Sequence, residues 1–188
     1  MNFPKSIKIQ ENLELHFSEP TFENAKEQFL CVVKNRNHLL PYLEWAHENS
    51  TRTPEDTFRF LDKTAKEWEN QTRYEFGIIL DNAFVGRIGI FNVDKKTKSC
   101  ELGFWLDKDF TGKGIITKSV KAIEKILFEE FKINRIVIGC DKKNTKSAKV
   151  AMRCGYKQEA ELEESRLREF YNTLYTHLVF AKLKKDYK

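Results

Sequence analysis

The sequence has little of what builds stapled, fibrous or membrane-embedded folds. Its 188 residues include only four cysteines, four prolines and eight glycines. Cys31, Cys100, Cys140 and Cys154 stand far apart, with no C-x-x-C pair and no histidine at ligand spacing beside any of them. That spacing argues against a zinc site and a disulfide framework. The cysteines read as small buried hydrophobes of a reduced, cytoplasmic protein. No apolar run approaches a membrane span, and the opening MNFPKSIKIQENLELHF lacks an apolar stretch ending in a small-residue cleavage site, so no spanning helix, membrane partner or signal peptide is expected. Repeats and Pro/Gly-rich linkers are missing as well, and one domain over residues 1–188 is expected. Charge of one sign is not concentrated either. The 33 Lys plus Arg against 28 Asp plus Glu leave +5, spread without the basic, aromatic-interleaved stripe of a nucleic-acid binder.

What is present is a globular composition, 40% hydrophobic and 13% aromatic, long enough to bury a core without staples. Residues 13–17 alternate as a strand, and Glu19-Pro20-Thr21 stops it and opens a helix through Phe22, Ala25, Phe29, Leu30 and Val33. Thr53-Pro54-Glu55-Asp56 supplies an N-cap, a proline at the first helical position and two first-turn carboxylates. Phe58, Leu61, Ala65 and Trp68 then recur at helical spacing. Residues 74–80 and 84–91, joined through Asp81-Asn82, and residues 100–106 after DKKTKS predict a three-stranded antiparallel meander. From Ile115 the pattern returns to helix, with Val120, Ile123, Ile126, Leu127 and Phe131 on one face. A short buried strand over 135–140, a helix over 147–153 stopped by Gly155, and a last strand over 175–183 complete an α+β fold, with a largely antiparallel mixed sheet flanked by helices.

The stretch LGFWLDKDFTGKGIIT runs from a strand through Gly112-x-Gly114 directly into a helix. Glycines let the backbone turn sharply and approach a ligand, and the first N–H groups of a helix lack intrahelical partners, a layout that suits a pyrophosphate. It matches neither the three-glycine dinucleotide fingerprint nor the P-loop, which places Lys-Ser/Thr after its second glycine. Downstream, Asn144-x-x-Ser147 caps a second short helix after a strand.

The order strand, Gly-Lys-Gly-Ile-Ile-Thr, amphipathic helix, buried strand, Asn-x-x-Ser helix and Gly-Tyr strand resembles the GNAT superfamily of acyl-CoA-dependent N-acetyltransferases. CELGFWLDKDFTGKGIITKSV, the Asn144 helix and FYNTLYTHLVF are similar to its RimJ/RimL type, the ribosomal-protein N-terminal acetyltransferases. LELHFSEP and HLLPYLEW extend the resemblance over nearly the whole chain. Three positions depart from that pattern: Thr111 stands where Gln or Arg is usual, Ile116 where Ala or Gly is frequent, and Asn172-Thr173-Leu174-Tyr175-Thr176-His177 replaces Asn-Gly-x-Tyr-x-Asp.

The resemblance implies acetyl-CoA as cosubstrate and no metal. It implies a pyrophosphate cradle of Thr111, Gly112, Lys113, Gly114, Ile115, Ile116 and Thr117, with pantetheine pairing along Phe104, Trp105 and Leu106 and with Asn144. Ser147 falls at the position that protonates the leaving thiolate. The tyrosine many relatives use instead would fall on Ala151. Glu101 and Glu169 fall where relatives carry a carboxylate that takes the amine proton. An α-amine, with a reference pKa of about 7.7 to 8.0 against about 10.4 for lysine, asks less of such a base. Lys142-Lys143 is a candidate contact for the 3′-phosphate. The histidines His16, His38, His47 and His177 read as packing or surface residues, and Lys182, Lys184 and Lys185 as a solvated face. The functional expectation is a monomer or homodimer that acetylates a protein N-terminus. A small amine such as a polyamine, amino acid or antibiotic is the alternative acceptor, and a coenzyme-A-binding module without turnover the alternative class.

Overall fold

The computed structural model describes residues 2–187 and centres on one eight-stranded sheet. The elements in chain order are β1 (Ser6–Gln10), β2 (Leu13–Phe17), α1 (Phe22–Leu39), α2 (Pro54–Glu69), β3 (Tyr74–Leu80), β4 (Ala83–Asp94), β5 (Ser99–Leu106), α3 (Ile115–Lys125), β6 (Arg135–Asp141), α4 (Thr145–Arg153), β7 (Lys157–Arg168) and β8 (Thr173–Leu183). The strands lie in the order β1-β2-β3-β4-β5-β6-β8-β7.

Local chemistry accounts for the element boundaries. Thr21 accepts a hydrogen bond from the Asn24 amide at 3.2 Å and starts α1. Asp56 accepts from the Thr53 amide at 3.1 Å in a capping box, with Pro54 opening α2. Asp81 and Asn82 both take positive φ, 50° and 64°, the twist a two-residue hairpin between β3 and β4 needs. Period-two alternation then divides the sheet between two cores. Leu102, Leu106, Ile88 and Ile90 join Val120, Ile123 and Leu127 of α3 in the larger one. Trp105 and Phe84 join Cys31, Val32 and Leu39 of α1 in the smaller. All four cysteines are free and buried, as expected.

Two strands escape the hydrophobic pattern, although the Gly-Tyr strand of the family order corresponds to β7. β1 and β7 are the outermost strands, and β7 is exposed along nearly its whole length. The amphipathic pattern through Phe131 also changes form before its end, with α3 passing into a π-turn over Ile126–Glu130. Lys182 is not on a solvated face: it donates to Glu124 at 3.0 Å and to the Cys154 carbonyl at 2.8 Å. The reason is its place in β8, where it alternates onto the face of Leu178 and Phe180.

The feature that matters for function lies where β5 meets β6. This is the sheet's parallel pair, and it lasts only from Ser99 to Glu101, opposite Arg135 to Val137. Beyond it β5 stays with β4 and β6 stays with β8. The strands part, and among the described residues one edge of β5 from Leu102 to Leu106 has no strand partner.

Candidate active site

A cavity of about 1090 Å³ lies beside the end of β5, between the start of α3 and the start of α4. Its walls are Phe104, Trp105 and Leu106 of β5, the turn and first residues of α3, the first two turns of α4 with Asn144, and residues 37–39 and 41–43. Gly112 and Gly114 adopt left-handed conformations, φ 81° and 75°, and a Cβ added to either would meet no atom within 4 Å. Gly114 is the N-cap of α3, and the first helical backbone bond runs from the Lys118 amide to the Gly114 carbonyl at 3.0 Å. No side chain caps this end, so the amides of Ile115, Ile116 and Thr117 carry the partial positive charge of a helix N-terminus toward the cavity. Lys118, Lys146, Lys149 and Arg153 stand in the same walls, which among the described residues contain no carboxylate. The residues present fit a phosphorylated, extended ligand such as a coenzyme A thioester.

Asn144 accepts from the Ser147 amide at 3.1 Å and caps α4. Its Oδ1 is thereby committed to the fold and its Nδ2 is the part left to meet a ligand. Burial raises the Cys140 thiol pKa, and the neighbouring Ser147 hydroxyl, hydrogen-bonded to it, acts the other way. That contact places the Ser147 side chain against the end of β6, in the cavity wall.

The loop from β5 to α3 is tied down from α1. Asp107, buried at 3% exposure, accepts from Lys34 at 2.8 Å and from the Asp109 amide at 3.0 Å. Asn35 accepts from the Lys108 amide at 2.9 Å. Burial raises the Asp107 pKa, but the contacts with Lys34, the Asp109 amide and Asn35 outweigh it, and the net shift is downward.

Of the sequence-predicted residues, Phe104, Trp105, Leu106, Thr111, Gly112, Gly114, Ile115, Ile116, Thr117, Asn144 and Ser147 all line this cavity. The Lys113 side chain does not; its ammonium sits 4.9 Å from the centre of the Phe110 ring. Lys142 pairs with Glu161 instead of facing the cavity. Glu101 is the last β5 residue paired with β6, at the point where the cleft opens, yet it lies outside the walls of this cavity. Glu169 is exposed on the turn before β8. That turn docks on the 44–47 segment through the Phe170 amide, which donates to Glu44 at 3.1 Å, and the His47–Phe170 stack at 4.1 Å.

Sequence reasoning missed a second cavity, of about 510 Å³, enclosed by α1, α2 and strands β3 to β5. It shares Leu43, Phe104 and Trp105 with the first. Its walls also hold Gln28, Trp45, Phe60, Arg73, Glu75, Arg87 and Gly103. The end of β5 is thus a wall common to both spaces, with Trp45 and Trp105 packed there at 5.8 Å.

A family model described as acetyltransferase (GNAT) domain matches residues 18–157. The chain is 29% identical over 184 residues to YdaF of Bacillus subtilis (strain 168), a candidate ribosomal N-acetyltransferase, covering 96% of this chain and 95% of that one. It is 28% identical over 171 residues to the ribosomal-protein-serine acetyltransferase of Escherichia coli (strain K12), covering 91% and 92%. Among solved structures, RimL, a ribosomal L7/L12 alpha-N-protein acetyltransferase in complex with coenzyme A, superposes with a TM-score of 0.86 at 21% identity, over 95% of this chain and 97% of that one.

Proposed function

The chain belongs to the GNAT acetyltransferase family, an acyltransferase family whose cosubstrate is acetyl-CoA, and on that premise we propose that it acetylates the N-terminal α-amine of a protein. The carrying observation is the parting of β5 from β6, which leaves an unpaired strand edge between the helix N-terminus at Gly114 and the residues Phe104 and Trp105 that both cavities share. A thioester whose phosphates rest on the amides of Ile115 to Thr117 has an unpaired strand edge along which its pantetheine arm can add as a further strand. The acceptor then enters from the far side of β5, through the second cavity. The protein relatives named for ribosomal-protein acetylation support a polypeptide N-terminus as that acceptor.

In this reading Lys113 to Ile116 and Thr117 hold the pyrophosphate, and Thr111 and Gly112 shape the turn before it. The Asn144 Nδ2 donates to a pantetheine carbonyl. A neutral amine attacks the thioester carbonyl, a backbone N–H at the end of β5 stabilises the oxyanion, and the C–S bond breaks. The Ser147 hydroxyl donates the proton that the departing thiolate takes. Glu101, at the mouth of the cleft, is the carboxylate assigned to the amine proton, directly or through water. Glu169 is assigned to the rim of the acceptor opening, because its turn packs on residues 44–47.

The testing experiment is turnover of acetyl-CoA with a panel of N-terminal peptides and small amines. Acetylation of peptides supports the reading. Turnover of polyamines or drug amines alone replaces the acceptor, and binding of acetyl-CoA with no turnover of any amine replaces the activity by a binding role.

A further inference from the structure

The second cavity carries a charge that the chemistry of acetyl transfer does not require. Arg87 lies in the middle of β4, between Gly77 on β3 and Trp105 on β5 in the sheet register, and its side chain enters the cavity. One of its N–H groups donates to Gln28 Oε1, and its guanidinium lies 4.3 Å from the centre of the Phe60 ring. Its Nε is buried and has no hydrogen-bond partner among the described residues. Among the described residues Arg87 makes no ion pair. Glu75, the buried carboxylate nearby, is held by Arg73 through contacts of 2.9 and 2.6 Å. Burial disfavours the charged form of this group and pushes its pKa down to about 10. The other charges in the walls are Lys63 and Asp56, and Asp56 is occupied by capping α2 and by Arg59. The cavity thus has a surplus of positive charge and an unused donor. The strand floor leaves little room for side chains: a Cβ on Gly103 would lie 2.8 Å from the Phe91 ring, and one on Gly89 2.6 Å from Glu75.

We infer that Arg87 is the specificity determinant of the acceptor site and receives a carboxylate carried by the acceptor close to its reacting amine. This inference rests on the proposed acetyltransferase reading and names the acceptor it favours. An uncompensated guanidinium in a packed cavity is unfavourable until an anion joins it, and a carboxylate matches its fork in a bidentate pair. The register fixes the reach. Arg87 is one strand away from β5, and the thioester arm would occupy the position of the next strand on the other side, so the two backbones are separated by about 10 Å. An extended chain covers that distance in about three residues. The favoured acceptor is therefore a chain with aspartate or glutamate within its first three residues. A free amino acid, whose carboxylate is nearer its amine, is the other source of the same group.

The experiment compares wild type with Arg87→Gln and Arg87→Lys on paired peptides that differ by Asp or Asn at the second and third positions, and on free aspartate and serine. With acetyl-CoA saturating, wild type is expected to favour the acidic peptide about tenfold or more in kcat/KM, mainly through KM. The ratio collapses toward one in Arg87→Gln and recovers in part in Arg87→Lys. Acetyl-CoA thermal shifts on each variant report an intact cosubstrate site. The wild-type ratio needs no variant and stands even if Arg87→Gln does not fold. Equal use of acidic and neutral peptides by wild type overturns the role of Arg87 while the acetyltransferase reading survives. A preference confined to free amino acids retains Arg87 and rejects the N-terminal acceptor. If no amine turns over, binding of the same peptides to the coenzyme-A-loaded protein decides: binding that ignores the charge, or that Arg87→Gln does not weaken, overturns the inference.

Discussion

Alanine at position 114 has two consequences that can be separated and measured. Gly114 is held at φ 75° with open space where a Cβ would go, so the substitution creates no clash inside the protein. It does force an L-residue into the left-handed region, at roughly 1–2 kcal/mol. For a chain of this size each kcal/mol is about 2–4 °C in Tm, so Gly114→Ala lowers Tm by roughly 2–8 °C. The second consequence is at the ligand. The added methyl stands in the cavity wall, between the cradle backbone and the place of the pyrophosphate. Wild type with acetyl-CoA at 100 times its Kd gains about 2.7 kcal/mol, or roughly 5–11 °C, and the variant loses most of that gain. Gly114→Asn isolates the blocking effect, because asparagine tolerates the left-handed region better than alanine. Its ligand-free Tm lies nearer wild type while its acetyl-CoA shift is lost. Differential scanning fluorimetry of wild type and both variants, with and without acetyl-CoA, reads all six values. A full wild-type shift in both variants refutes the argument that the amides at the start of α3 hold the cosubstrate.

The remaining predictions concern the proton transfers and the brace beneath the loop. Ser147→Ala lowers kcat more than it raises KM, since the hydroxyl acts as the thiolate leaves; a change in KM alone makes it a pantetheine contact. Glu101→Gln flattens the acidic limb of the pH–rate profile and Glu169→Gln leaves it in place, as steady-state rates from pH 5 to 9 will show. If neither alters that limb, the amine loses its proton to solvent. Asp107 has a folded pKa below its ordinary value, so its contribution to stability is complete above about 3.9, the unfolded value, and is lost as pH falls through the folded one. Thermal melts of Asp107→Asn therefore show lower stability at pH 7 and a shallower loss toward pH 2; equal destabilisation at both pH values contradicts the assignment.

The parts of the fold that were legible in the sequence are those where burial imposes a period. The β3-β4-β5 meander, α3 and β6 each bury a face and show it. β7, with the sequence KQEAELEESRLR, buries no face, and its pairing with β8 is interrupted by irregular register, so neither hydrophobic alternation nor a uniform ladder marked it. The cradle was legible because its chemistry is local: two glycines and a helix start lie within a few residues. The opening that gives the cradle its use was not, because it depends on three residues of β5 pairing with β6 and the rest not doing so. Arg87 escaped for a similar reason. Its neighbours Gln28 and Phe60 come from two other elements, 59 and 27 positions away by residue number, although a lone arginine inside FVGRIGIF is a signal that could have drawn the eye. Glu169 lies on an exposed turn whose docking against residues 44–47 is a long-range contact that no local pattern displays.

The most direct test of the central claim is the site of the acetyl group itself. Incubation with acetyl-CoA and a peptide bearing a free α-amine, an acidic residue in its first three positions and an internal lysine, followed by fragmentation mass spectrometry, assigns the nitrogen modified. One acetyl on the α-nitrogen, none on the lysine, and loss of the product when Ser147 and Gly114 are replaced are the expected results. Acetylation of lysine alone, or an inert peptide under conditions where a polyamine is acetylated, contradicts the claim.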